Sequence, residues 1–126
     1  MNFNENKPIY LQIVDYVCEQ AMTGKWKEGD KILSSRELGS LLEVNPNTAL
    51  RAYDYLQNVD IVENRRGLGS FMCSGALEKI IHLRKERFFN EELPLLFKSM
   101  KLLDIQLDEL ENAYQKFSIN PLKNIE

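Results

Sequence analysis

Arginine and asparagine are the side chains able to pair bidentately with the edges of guanine and adenine. This sequence spaces several of them over one short stretch: Arg36, Asn45, Asn47, Arg51, Arg65 and Arg66, with Thr48 beside Asn47. Gly67 and Gly69 follow the paired arginines, and a residue without Cβ lets a backbone approach another surface closely. The chemistry these types can do is recognition, with hydrogen bonds to base edges and ion pairs to phosphates. No paired carboxylates, nucleophile–histidine arrangement or phosphate loop accompanies them, and Gly67-Leu68-Gly69 is too short for a dinucleotide fingerprint. The sequence therefore predicts a chain that is not an enzyme and carries no catalytic residue or cofactor. Cys18 and Cys73 do not form a C-x-x-C, and His82 is the single histidine. Reduced, buried thiols are expected there rather than a metal site or a disulfide.

The elements that must position these residues are legible from caps and periodicity. Ile9, Ile13, Val17 and Ala21 recur at i+4, with Val14 and Met22 beside them, which predicts a helix from Pro8 to Met22. Gly24 suits its left-handed C-terminal cap. Lys25 to Leu33 reads as a loop with a turn at Glu28-Gly29-Asp30. Ser34-Ser35-Arg36-Glu37 reads as a capping box that opens a short helix burying Leu38, Leu41 and Leu42. Asn45-Pro46 is a second start signal, with Asn45 as N-cap and Pro46 where a missing N–H costs nothing. The helix it opens runs to about Asn58 with Ala49, Tyr53 and Leu56 inward. Two helices so closely joined make a helix-turn-helix. Counting by four from Asn47 puts Arg51 and Tyr55 on the outward face of the second, with Thr48 alongside. Two strand-like runs, 61–64 and 70–73, flank the basic turn Arg65-Arg66-Gly67-Leu68-Gly69, a hairpin in the place of a wing. The expected fold is mainly α with a small β-hairpin wing, a winged helix-turn-helix over residues 1–73. Its second helix would enter the major groove of double-stranded DNA, and Arg65 and Arg66 the minor groove.

Residues 74–126 read as a separate helical segment. The apolar positions Leu77, Ile80, Ile81, Phe88, Phe89, Leu96, Phe97 and Met100 form a stripe longer than a small domain can cover, which predicts a homodimer. The other way to cover the stripe is to fold it back onto the winged helix. Pro94 predicts a kink or break near Glu92-Leu93. A last helix from Gln106 to about Phe117 carries Leu107, Leu110 and Tyr114, and the chain after Ser118 is expected to fray. Aromatic residues lining a small-molecule effector pocket are the alternative use of Phe88, Phe89 and Phe97, although aromatics at helical spacing more often form core.

Composition sets limits on all of this. At 126 residues, 44% hydrophobic and 28% charged, the chain suits a folded protein. No apolar run approaches a membrane span, and the polar start Met1-Asn2-Phe3-Asn4-Glu5-Asn6 lacks a signal-peptide layout. A cytoplasmic location is expected. The net charge is −3 and the pI about 5.3, and no half is basic. Residues 1–73 hold 8 Lys and Arg against 10 Asp and Glu, and residues 74–126 hold 8 against 9. Affinity for a polyanion must therefore come from a local basic cluster.

Pro8-Ile9-Tyr10-Leu11-Gln12-Ile13, then Gly24, Gly29-Asp30, Ser34-x-Arg36-Glu37-Leu38 and the wing resemble the amino-terminal domain of the GntR family of bacterial regulators. The string Val44-Asn45-Pro46-Asn47-Thr48-Ala49-Leu50-Arg51-Ala52-Tyr53 and the short carboxy-terminal segment resemble its YtrA-type branch. The resemblance implies a homodimer, dimerised by the helical tail, on an inverted-repeat operator, controlling its own operon or a nearby ABC-type exporter, most often as a repressor. It implies DNA contacts at Arg36, Asn47, Thr48 and Gly69. The sequence departs from the family at Leu33, where proline is usual, at Glu43 and Asp60, where glycine is common, and at Ser70, where threonine is usual. Pro46 stands where many members have a base-reading arginine, as it does throughout the branch, so Arg51 is expected to supply part of that reading. A winged helix that serves as a protein-assembly module without DNA is the other functional class the pattern allows.

Overall fold

A computed structural model describes residues 7–119. The elements are α1 (Ile9–Met22), β1 (Lys31–Ile32), α2 (Ser35–Leu41), α3 (Pro46–Asn58), β2 (Val62–Arg65), β3 (Gly69–Met72), α4 (Ala76–Arg87), a π-helical turn (Phe88–Glu92), α5 (Leu93–Leu103) and α6 (Leu107–Ile119). The chain forms two compact units, one ending at Arg84 and the other beginning at Lys85.

The first unit is a winged helix whose core is the apolar stripe read from the sequence. Ile13, Val14, Val17 and Ala21 of α1 meet Leu38 of α2, Ala52, Tyr53 and Leu56 of α3, and Ile32, Val62 and Met72 of the sheet. Ile9 and Met22, at the two ends of α1, stay exposed. α1 ends as the glycine predicts, with Gly24 at φ +78°. The Lys25 N–H then reaches back to the Gln20 carbonyl.

Both starts of the helix-turn-helix are capped as the sequence indicates. The Glu37 amide donates to Ser34 Oγ at 3.1 Å and the Ser34 amide to Glu37 Oε1 at 2.9 Å. These hydrogen bonds from the Ser34 backbone and hydroxyl hold the Glu37 carboxyl below its ordinary pKa. The Asn47 amide donates to Asn45 Oδ1 at 2.8 Å, and Pro46 takes the first helical position. Between the two helices Glu43 turns the chain in the left-handed region, at φ 56°. Gly39 lets α2 and α3 approach: a Cβ built there would lie 3.2 Å from the Cβ of Ala49. The buried Tyr53 hydroxyl donates to the Leu33 carbonyl, tying α3 to the segment that enters α2. Leu41, expected in the core, is 60% exposed; its neighbour Leu42 packs against the core and Leu41 faces the other way.

The wing is the expected β2–β3 hairpin, extended by β1 into a three-stranded antiparallel sheet of order β1-β3-β2. Part of the predicted loop is strand: Lys31 pairs with Phe71 and Ile32 with Ser70. A two-residue strand is too short to show alternation in sequence, and pairing alone defines it. β2 and β3 each start or stop one residue away from the predicted runs, so Arg65 and Gly69 form the last ladder pair and the turn itself is 66–68. Ile32, Val62, Ser70 and Met72 face the core, which places the Ser70 hydroxyl inside the domain.

α4 extends the first unit past the boundary at residue 73 expected from sequence. Ala76 and Ile80 are buried in the winged-helix core, with Leu83 packed against it, and Arg84 Nη1 lies 3.8 Å from Asp15 Oδ1 of α1. In the second unit the strain at Pro94 is absorbed without a break. The Leu93 N–H donates to the Phe88 carbonyl five residues back, and Leu93 keeps φ −62° and ψ −43°. One wide turn upstream frees the proline ring from the carbonyl it would strike in regular α register. α6 continues to Ile119, one residue into the stretch after Ser118 expected to fray; the rest of that stretch, residues 120–126, lies outside the described residues.

Candidate nucleic-acid interface

α3 carries its polar residues outward because Ala49, Ala52, Tyr53 and Leu56 take the core side. Asn47, Leu50, Arg51, Asp54 and Tyr55 are exposed, and Thr48 is half-buried. Asn45 is exposed but spends its side-chain oxygen on the helix cap. Pro46 has no N–H, and the amides of Asn47, Thr48 and Ala49 all donate to Asn45, so the start of α3 offers an anion the helix dipole rather than free donors. The Arg51 guanidinium lies 3.9 Å from the centre of the Tyr10 ring on α1. This cation–π contact limits the rotamers of a long side chain while leaving its donor edges open.

On the wing the pleat sorts the residues by charge. Lys31, Glu63, Arg65, Gly69 and Phe71 share the outer face, by the pairing of Lys31 with Phe71, Glu63 with Phe71 and Arg65 with Gly69. Arg65 is held in place, with its Cζ 4.1 Å from the Phe71 ring centre and its Nε 3.3 Å from Glu63 Oε1. Arg66 stands at the exposed turn, and Arg36 on the first turn of α2. Neither makes an ion pair among the described residues. Gly67 and Gly69 both need positive φ, at 78° and 114°. Gly69 does more than permit approach: a Cβ there would sit 2.9 Å from Cε of Lys31, which lies across it. Lys31 is thus a basic wing residue that sequence reading missed. Its strand is visible only as a pairing partner of β3, so nothing in the local sequence marks it.

The residues expected at a dimer contact divide in two. Leu77, Ile81, Phe88, Phe89, Leu96 and Phe97 are exposed. Ile80 is 0% exposed and Met100 7% exposed; both are used within the chain and cannot reach a second one. Helical spacing places a residue on a stripe but does not say which neighbour covers it. Leu95, Leu102, Leu103, Leu107 and Tyr114 are exposed as well. Cys18 is buried and Cys73 half-buried, both as thiols. Burial raises the pKa of Cys73. No group of residues able to hold a metal ion occurs among the described residues. No helix there is long and apolar enough to cross a membrane.

The chain matches no model of a known protein family. It is 35% identical over 116 residues to the HTH-type transcriptional regulator YhcF of Bacillus subtilis, covering 92% of this chain and 94% of that protein. It is 32% identical to the HTH-type transcriptional repressor YtrA of the same organism, covering 88% of this chain and 85% of that one. Among solved structures, a GntR-family regulator from Bacteroides thetaiotaomicron superposes with a TM-score of 0.73 at 39% identity, over 90% of this chain and 98% of the other. These relatives are regulators and not enzymes, and they match the chain across both of its units. The chain belongs to the GntR family of winged helix-turn-helix, DNA-binding transcriptional regulators, in its YtrA-type branch.

Proposed function

We propose that the protein is a cytoplasmic repressor that binds an inverted-repeat operator as a homodimer and controls its own operon or a nearby ABC-type exporter. In this reading α3 enters the major groove, with Asn47, Thr48 and Arg51 at base edges and the capped helix start against a phosphate. Arg36 reaches the backbone from α2, while Lys31, Arg65 and Arg66 bring the wing to the minor groove, which Gly67 and Gly69 let it approach. Two chains join through Leu77 and Ile81 of α4 and through Phe88, Phe89, Leu96 and Phe97 of the second unit.

The observation that carries the reading is local. On a chain of net charge −3, the outer face of the wing and its turn collect Lys31, Arg65 and Arg66 against the single acid Glu63, beside an α3 whose outer side carries Asn47, Arg51 and Asp54 around Leu50. An exposed apolar surface of this extent in the second unit supports a partner chain, and two-fold symmetry fits an inverted repeat. The test is an electrophoretic shift with DNA from upstream of the protein's own gene. Specific, salt-sensitive binding that Arg36→Ala and Arg66→Ala each weaken is expected. Wild-type protein that binds this DNA no better than a scrambled duplex overturns the reading.

A further inference from the structure

Leu50 stands on the outer side of α3 with about half of its surface open. The buried residues of this helix are Ala49, Ala52, Tyr53 and Leu56. At about 100° per residue, Asn47, Leu50, Arg51 and Asp54 fall on the opposite half of the helix, and all four are exposed. Leu50 is the apolar member of this group, 48% exposed. It lies one helical turn beyond Pro46 and Asn47, within the part of the helix that enters a groove first. Arg51, its neighbour, lies against Tyr10, and Leu50 keeps about half of its surface open on the same side as Asn47 and Asp54.

We propose that Leu50 is a specificity-determining residue that reads the C5-methyl group of a thymine in the major groove of the operator. The proposal rests on the DNA-binding reading above. In that groove thymine alone presents a methyl group, and the other base edges present donors or acceptors. A leucine can satisfy neither a donor nor an acceptor, so pressing it on a polar edge strips water without replacement. Against a methyl group it buries apolar surface on both sides. Leu50 thereby selects a T·A pair at one position of each half-site, while Asn47 and Arg51 select by hydrogen bonding.

The experiment uses the full-length protein and duplexes that it selects from a random-sequence pool. Each thymine of the selected site is replaced in turn by deoxyuridine, which removes the methyl group and leaves the pairing edge intact. Wild-type affinity is expected to fall about four-fold at one thymine per half-site, the value of one buried methyl group. In Leu50→Ala that substitution should cost nothing measurable, while the other thymines behave as in wild type. Alanine favours helix and the position is exposed, so the variant should keep its melting temperature. Leu50→Gln, of similar reach but polar, repeats the test independently. If no thymine shows a methyl dependence that disappears with Leu50, this inference falls while DNA binding stands; if no sequence is enriched from the pool, both fall.

Discussion

Glu43 and Asp60 hold the left-handed backbone that the family usually gives to glycine, at φ 56° and 59°. A side chain there costs about 1–2 kcal/mol, and glycine returns part of the gain through its freer unfolded chain. Glu43→Gly and Asp60→Gly are each expected to stabilise the protein by about 0.5–1 kcal/mol in urea unfolding. The pair that Asp60 makes with Lys79, 3.8 Å away on the surface, is worth too little to reverse the sign. Destabilisation in both variants would show that the turn geometry is wrong. Tyr53 gives a pH signature. Burial raises its pKa above the ordinary tyrosine value of about 10, so the native state holds the phenol proton more tightly than the unfolded chain does. The resulting stability is complete below pH 10 and is lost as pH rises above it. Tyr53→Phe should lower stability at pH 7 by about 1 kcal/mol by orphaning the Leu33 carbonyl. It should also flatten the alkaline loss relative to wild type; identical slopes above pH 10 would refute the assignment.

The elements were legible wherever a local signal specifies them. The capping box at Ser34, the Asn45-Pro46 start and the Gly24 stop act within four residues, and each is in place in the structure. β1 was not legible, because two residues show no period and only β3 makes them a strand. The inward Ser70 and the exposed Leu41 were missed for a related reason: sheet register and the facing of one helical turn decide them. At this scale the prediction concerns Gly39. Its Cβ position is already 3.2 Å from Ala49, and Gly39→Val would drive branched atoms into α3. A loss of about 1–3 kcal/mol in urea unfolding is expected, with weaker DNA binding as the two helices separate. An unchanged unfolding midpoint would mean that the helices do not meet there.

For the whole molecule, surface left over decides what the second unit is for. Phe88→Glu and Phe97→Glu place charge on exposed positions of that unit without entering the core of the first. In sedimentation, wild type should run at twice the 14.7 kDa chain mass, and the double variant as a monomer with a winged helix that melts as before. A wild-type monomer, or a double variant that still dimerises, would reject the assigned surface. Ile80 and Met100 are the wrong positions for this test, since both are already buried within the chain.

By itself the sequence determined the reading head: which residues start and stop the helices, which side of α3 is polar, and where the wing turns. Those properties depend on caps, periodicity and glycine, which act over a few residues. Only the tertiary structure decided that Lys31 joins the wing, that Arg51 rests on Tyr10, that Leu50 stays half-exposed, and that Ile80 belongs to the domain core. Each depends on what lies across the fold from the residue, and contact between distant parts of the chain has no period to read.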